Sequence, residues 1–453
     1  MAEHDLPPAD LDLLAVLRKI GDPGLTADTI SLLDLPDHDV DQTLRRLIDQ
    51  ELLHQVTDPT GTVRYPATPA PDTAKDDDPA SLSDTNHGPS STVSQRAAQA
   101  LARLVEHYTM LMSSIAETLE PGKHAYSDLR RSATPLADRA TARMVFDREH
   151  HARGGTVMAV LRLAVELELW EWAWRLGEAL WVPLRSGRHI EDVLLSQTFA
   201  VRAARVAGAD DDLGHPYEST ACARVAWAQS RLGRTADAAA LIEFAVAVAE
   251  GHGDGRALAT ALSVSAQTLV ADNRLDDAVA MFDRCIDLDI RNSAPPWVLG
   301  VRLRQQASAL SSLGRKKEAC RAARFAVGLI FGDPRPRGFD AARALIVYAE
   351  ILLDLGLTEL ADEALIDANA FLDPDADRVH HADVQALLWT TATVLGQPDA
   401  EQHRGRAITA YEQAGDSRRA TELRAHPTPR MPVTPRQSTP PPSQENPEPE
   451  ADR

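Results

Sequence analysis

Residues 94 to 425 read as one helix after another. Period-two alternation of apolar and polar residues is nearly absent there. Short breaks fall at "LGR", "DNR", "SAPP", "GDPRPRG" and "LDPDAD". The first 66 residues have a different pattern. "ADLDLLAVLRKI" is an amphipathic helix closed by "GDPG". "LTADTISLL" predicts a second helix with Thr26 as its N-cap. "PDHDVDQTLRRLIDQELL" predicts a third, with Val40, Leu44, Leu47 and Ile48 on one stripe. "HQVTDPTGTVRYP" predicts two short strands around the turn "DPTG".

The helical stretch repeats itself. "RLGRTADAA" (Arg231 to Ala239) and "SLGRKKEAC" (Ser312 to Cys320) share a Leu-Gly-basic core and an alanine five residues after the glycine. With the anchor at Gly233, the same frame fits Asn273, Gly314, Gly356 and Gly396, at spacings of 40, 41, 42 and 40. Ala238, Ala278, Ala319 and Ala361 lie five after the anchors, and Ala245, Cys285, Ala326 and Ala368 twelve after. Ala226, Ala266, Ala307 and Ala349 lie seven before, with Trp389 breaking the rule. Each unit is expected to be two antiparallel helices joined by a left-handed residue, with small residues where the helices approach closely. A larger residue nine after the anchor (Ile242, Phe282, Leu365, but Ala323 in the third unit) fills the gap. One such unit cannot bury its own apolar face, so units stack.

This spacing resembles the tetratricopeptide repeat, but with a longer period than the usual 34 and without most of its first-helix Trp and Tyr. Three helices followed by a hairpin is the winged-helix arrangement. Between these parts, "LARLVEHYTMLMSSIAETLEP", "RMVFDREHHARGG" and "LAVELELWEWAWRLGEALWVPLRSGRHIEDVL" follow in order. The whole resembles the winged-helix and tetratricopeptide region of actinobacterial STAND-class regulators, of the NB-ARC and Streptomyces antibiotic regulatory protein type. The resemblance implies a sensor and interaction half. Its ATPase core is missing, because no GxxxxGK[ST] phosphate loop occurs and "GRTADAAA" and "GRKKEACR" are repeat turns.

The expected fold class is therefore all-α: a tetratricopeptide-like helical-hairpin superhelix of period about 40 with a small N-terminal winged-helix domain. The expected boundaries are 1–66 winged helix, 67–93 disordered linker, 94–215 helical domain, 216–425 repeats and 426–453 disordered tail. The linker is rich in Pro, Asp, Ser and Thr, and the tail carries nine prolines. A PxxP-type ligand in the tail is the alternative to plain disorder.

Composition narrows the function classes. The 453 residues are 44% hydrophobic but only 5% aromatic, which suits close-packed helices. Cys222, Cys285 and Cys320 form no CxxC or Cys/His cluster, so no structural zinc or disulfide framework is expected. With no signal peptide and no long apolar run, a cytoplasmic protein with no membrane partner is expected. The net charge of −20 argues against general nucleic-acid binding. Residues 1–66 carry 13 acids and five bases, and the third helix, Asp37 to Glu51, has five acids against Arg45 and Arg46. DNA reading by this domain is the secondary hypothesis, with the repeats as a sensor.

Four groups of residues are candidates for recognition. First helices of such arrays line a concave groove, and their ligand-facing positions would be Trp227, Arg231, Gln267, Arg304, Arg343, Glu350 and Asp354. The alternative is a solvated helix face. Residues 301–343 hold ten bases and three acids, including Arg315, Lys316, Lys317, Arg321 and Arg324. That island either docks an acidic partner or is complemented by the nine acids of 350–377. Trp170, Trp174 and Trp181 form a stripe, either a cation cage or a buried helix seam. The histidines of "REHHARGG" and "RVHHAD" read as surface or capping residues, so no metal is expected. No nucleophile is paired with a base and no glycine-rich cradle occurs, so neither an enzyme nor a cofactor is expected. The primary reading is a regulatory or adaptor protein that binds a protein or peptide partner in the groove.

Overall fold

A computed structural model describes residues 6–21, 24–33, 39–57, 62–68, 94–150, 155–211, 214–333 and 338–426. Most of the expected linker and the tail beyond 426 lie outside the described residues, as do Arg335 and Arg337 of the basic island. The chain divides into two compact units, Met1–Ala221 and Cys222–Arg453. The described residues are overwhelmingly helical, and their strands are confined to one two-stranded hairpin with two isolated bridges.

The first unit opens with α1 (Pro8–Ile20), α2 (Ala27–Ser31) and α3 (Val40–Asp49), then β1 (Val56–Thr57) and β2 (Val63–Arg64). Thr26 caps α2 as expected, its Oγ1 accepting from Thr29 N at 3.2 Å. Asp39 caps α3 in the same way. The strands are antiparallel, with Val56 opposite Arg64, and Leu25 bridges to Tyr65 beside them. Gly24 permits this approach: its φ is +77°, and a Cβ there would meet Pro66 N at 2.4 Å.

The rest of the unit is α4 (Gln95–Leu119), α5 (Asp128–Arg131), α6 (Arg139–His150), α7 (Gly155–Glu166), α8 (Trp170–Ser186) and α9 (Ile190–Ala207). Leu101, Leu104, Val105, Tyr108, Met112 and Ile115 give α4 a buried stripe at helical spacing, and α6, α7 and α8 pack against α4. The N-terminal elements are fastened to this core. Arg64, buried in β2, donates to Thr156 Oγ1 at 2.8 Å, to the Arg148 carbonyl and to Glu149 at 3.4 Å. Glu149 also accepts from Tyr108 Oη at 2.8 Å. A buried guanidinium survives here because it has a carboxylate and oxygen acceptors on several sides.

The second unit is the repeat array. α10 (Tyr217–Arg231) runs into it and is followed by α11 (Thr235–Gly251), α12 (Gly255–Ala271), α13 (Leu275–Arg291), α14 (Pro296–Ser312) and α15 (Lys316–Phe331). Then come α16 (Gly338–Asp354), α17 (Thr358–Phe371), α18 (Arg378–Leu395), α19 (Ala400–Gln413) and α20 (Ser417–Ala425). The five sequence anchors are the five hairpin turns: Gly233, Asn273, Gly314, Gly356 and Gly396 have φ of 79°, 59°, 80°, 75° and 68°. The turn's hydrogen bonds repeat too. The residue after each anchor donates its N–H to the carbonyl five residues back, as in Arg234 to Gln229 at 2.8 Å and Arg315 to Leu310 at 2.9 Å. This six-to-one bond satisfies a carbonyl that the helix end would otherwise leave open.

The alanine positions are the helix seam. All twelve residues at seven before, five after and twelve after the first four anchors are fully buried. In the last unit Trp389, buried, replaces the first of these, and Ala382, Ala410, Tyr411 and Ala420 form its core instead. The tetratricopeptide-like hairpin array read from the sequence is the fold.

Candidate functional site

Successive first helices α12, α14, α16 and α18 lie against one another. The candidate groove residues of α12, α14 and α16 are found at different depths, and Trp227 and Arg231 lie on α10. Arg231 is exposed and its guanidinium stands over Trp227, 5.6 Å from the ring centroid. Gln267 is half-buried and donates to the Ser263 carbonyl at 3.2 Å, so its amide partly serves its own helix. Arg343, half-buried, lies over Phe339 at 5.6 Å. Arg304 departs from the expectation: only 7% exposed, it packs within the array and is not offered to a ligand. Residue spacing alone does not report how deeply such a position is covered.

Glu350 and Asp354 belong to a larger polar cluster. Glu350 is exposed to solvent, yet surrounding protein and the nearby carboxylates of Asp383 and Asp354 push its carboxyl up to about 7. Asp383 of α18 accepts from Arg419 Nη1 at 2.6 Å and from Tyr411 Oη at 2.7 Å. Arg419 in turn stands over the Tyr411 ring at 5.5 Å. Asp354 accepts from Ser311 Oγ at 3.3 Å, and its carbonyl accepts from Lys316 Nζ at 2.7 Å. Asp383, Tyr411 and Arg419 were not legible as site residues, because they come from the last, degenerate unit and its capping helix.

The basic island divides between faces. Arg302 pairs with Asp289 at 3.1 Å and Arg315 with Glu318 at 2.6 Å. Both acids lie outside 350–377, and Lys316 reaches that segment through a backbone carbonyl. Lys317, Arg321 and Arg324 are exposed on the second helix α15, beside Phe325, which is 63% exposed. They do not share the first-helix face with Arg343.

In the first unit, Trp174 and Trp181 are buried, and Trp174 packs against Tyr217 and His215. The seam reading describes them, while Trp170 is half-buried beneath Arg202. The surface reading fails for His150, which is buried, with Nε2 2.9 Å from Asp192 Oδ2. Cys285 donates to the Ala259 carbonyl at 3.2 Å, and burial pushes its thiol up to about 11. Such a thiol is a packing residue and not a nucleophile. No described helix is long and apolar enough to cross a membrane.

No protein-family profile matches the chain, and no curated protein matches it. Among solved structures, the chain is similar to BtubC (BKLC) from P. vanneervenii, at 16% identity and a TM-score of 0.41, over 54% of this chain and 96% of that one. It is also similar to a signal transduction ATPase with numerous domains (STAND) protein with a tetratricopeptide repeat sensor from Pyrococcus horikoshii. That likeness has 13% identity and a TM-score of 0.41, and it covers 93% of this chain and 62% of the other.

Proposed function

We propose that this chain is a non-enzymatic regulatory or adaptor protein that binds a protein or peptide partner along the first helices of its repeats. The observation that carries the reading is the polar cluster around exposed Glu350, where Asp354 of α16 and Asp383 of α18 come together on stacked first helices and Arg419 of α20 pairs with Asp383. Charged groups clustered on an open helix face are arranged for a ligand, because a purely structural seam of this array is lined with alanine. A basic side chain of the partner meets Glu350 and Asp354, while Arg343 and the Trp227–Arg231 pair accept acidic and apolar groups further along.

In this reading residues 1–66 are a winged helix that serves as a structural part of a regulator of the STAND kind, with the ATPase supplied by a partner. The bridge of Leu25 to Tyr65 beside the hairpin supports the winged-helix assignment, and the burial of Arg64 supports a structural role. The DNA-reading alternative has less support. Of the two arginines on α3, Arg46 is engaged by buried Asp10, which leaves Arg45 among acids.

The test is affinity capture from lysate of the source cells, comparing the intact chain with an Arg343→Glu, Glu350→Lys variant. Both positions are accessible enough to tolerate charge reversal, whereas Arg304 is not. A protein retained by the intact chain, lost in this variant and kept by a Lys317→Glu, Arg321→Glu variant is the expected result. Equal capture by all three forms would refute the groove.

A further inference from the structure

Three side chains that the sequence keeps far apart meet in the first unit. α6 ends on His150, and α9 is preceded by His189 and carries Asp192 in its first turn. One potential ligand atom from each residue lies within 4.8 Å of the others. His150 Nε2 and Asp192 Oδ2 are 2.9 Å apart, and the two imidazole centroids are 4.4 Å apart. The ring of His150 is held in plane by Phe146, one turn earlier in α6, stacked at 4.9 Å with an interplanar angle of 13°. The ring of His189 is held by the turn before α9. Arg188 takes a left-handed φ of 59°, and a Cβ on Gly187 would meet His189 Cδ2 at 2.6 Å, so only glycine leaves room for the ring.

We propose that His150, His189 and Asp192 bind a divalent transition-metal ion, zinc foremost, through three protein ligands with a fourth position open to water. Two imidazoles and one carboxylate are the donor set of borderline ions, whereas magnesium and calcium take oxygen donors. At zinc–ligand distances of about 2.0–2.1 Å, tetrahedral ligand atoms lie about 3.3 Å apart. His150 and Asp192 are already that close, and the His189 ligand atom lies within 4.8 Å of both. His189 and Asp192 are both half-buried, which leaves an entry path from solvent, while His150 closes the inner side.

Two cations border the cluster. Arg143 is occupied by the Pro183 carbonyl at 3.2 Å and Ser186 Oγ at 2.5 Å, with Asp147 at 3.9 Å. Arg162 acts on Asp192 from the α7 side. Asp147 and Asp192 offset these charges. The bound ion ties the end of α6 to the start of α9, and the proposal is independent of the groove reading.

The experiment uses the tag-free full chain, stripped with a chelator and titrated with Zn²⁺ by calorimetry and with Co²⁺ by visible absorption. One saturable equivalent of Zn²⁺ per chain and an intense tetrahedral Co²⁺ band are expected. Asp192→Asn and His189→Gln should each weaken Zn²⁺ binding by about tenfold or more while the helical circular dichroism stays unchanged. Both are half-buried positions, so neither variant depends on replacing the buried His150. Absence of a saturable equivalent, or one that survives in both variants, would overturn the site.

Discussion

Arg46 and Asp10 hold one another across α3 and α1, with Nε to Oδ2 and Nη2 to Oδ1 both at 2.9 Å. Thr43 Oγ1 also donates to Asp10, at 3.0 Å. The carboxylate is buried, so the arginine is committed to the fold. Arg46→Ala should therefore lower the thermal midpoint by leaving Asp10 short of a partner. An electrophoretic shift with the full chain at low salt should show no retained DNA. Retention that Arg45→Glu abolishes would restore the DNA-reading hypothesis.

The seam alanines set the distance between helices, so adding volume there must separate them. Ala307→Leu, at a fully buried position of α14, should cost about 1–3 kcal/mol or more. Ala236→Leu, on the exposed side of α11, should change stability by less than about 0.5 kcal/mol. Urea midpoints of the two variants test this, and equal midpoints would remove the seam argument.

The anchors turn on backbone conformation alone. A Cβ on Gly314 would meet nothing within 4 Å, but its φ is +80°. Gly314→Ala should thus cost about 1 kcal/mol from the left-handed conformation rather than from any clash. Asn273, already left-handed, should accept glycine with little change, and a large loss in Asn273→Gly would point to a side-chain role instead.

Glu350 gives the second unit a pH signature. Its carboxyl sits at about 7 in the folded chain, raised from 4.5 by desolvation, Asp383 and Asp354. The folded state thus holds this proton more tightly than the unfolded state. Its contribution to stability is present below pH 4.5 and is lost as pH rises through 7. Glu350→Gln should flatten denaturation midpoints over that window. An unchanged slope would mean that its neighbours do not raise the carboxyl's pKa.

Much of the fold was legible because packing imposes a residue type. A left-handed turn requires Gly or Asn, and two helices in close contact require Ala, so Gly233, Asn273, Ala266 and Ala307 declared themselves by identity and spacing. The order of three helices and a hairpin at the N-terminus followed in the same way from caps and turn residues such as Thr26. What only the tertiary structure decided is which polar groups meet. Spacing put Arg304 on the ligand face, and packing between neighbouring hairpins buried it. Asp383, Tyr411 and Arg419 joined Glu350 because helices distant in sequence stack side by side. His150, His189 and Asp192 came together because the end of α6 lies at the start of α9. Local conformation is written in short-range sequence, whereas the meeting of charged and imidazole groups depends on how whole helices pack, and no local pattern records it.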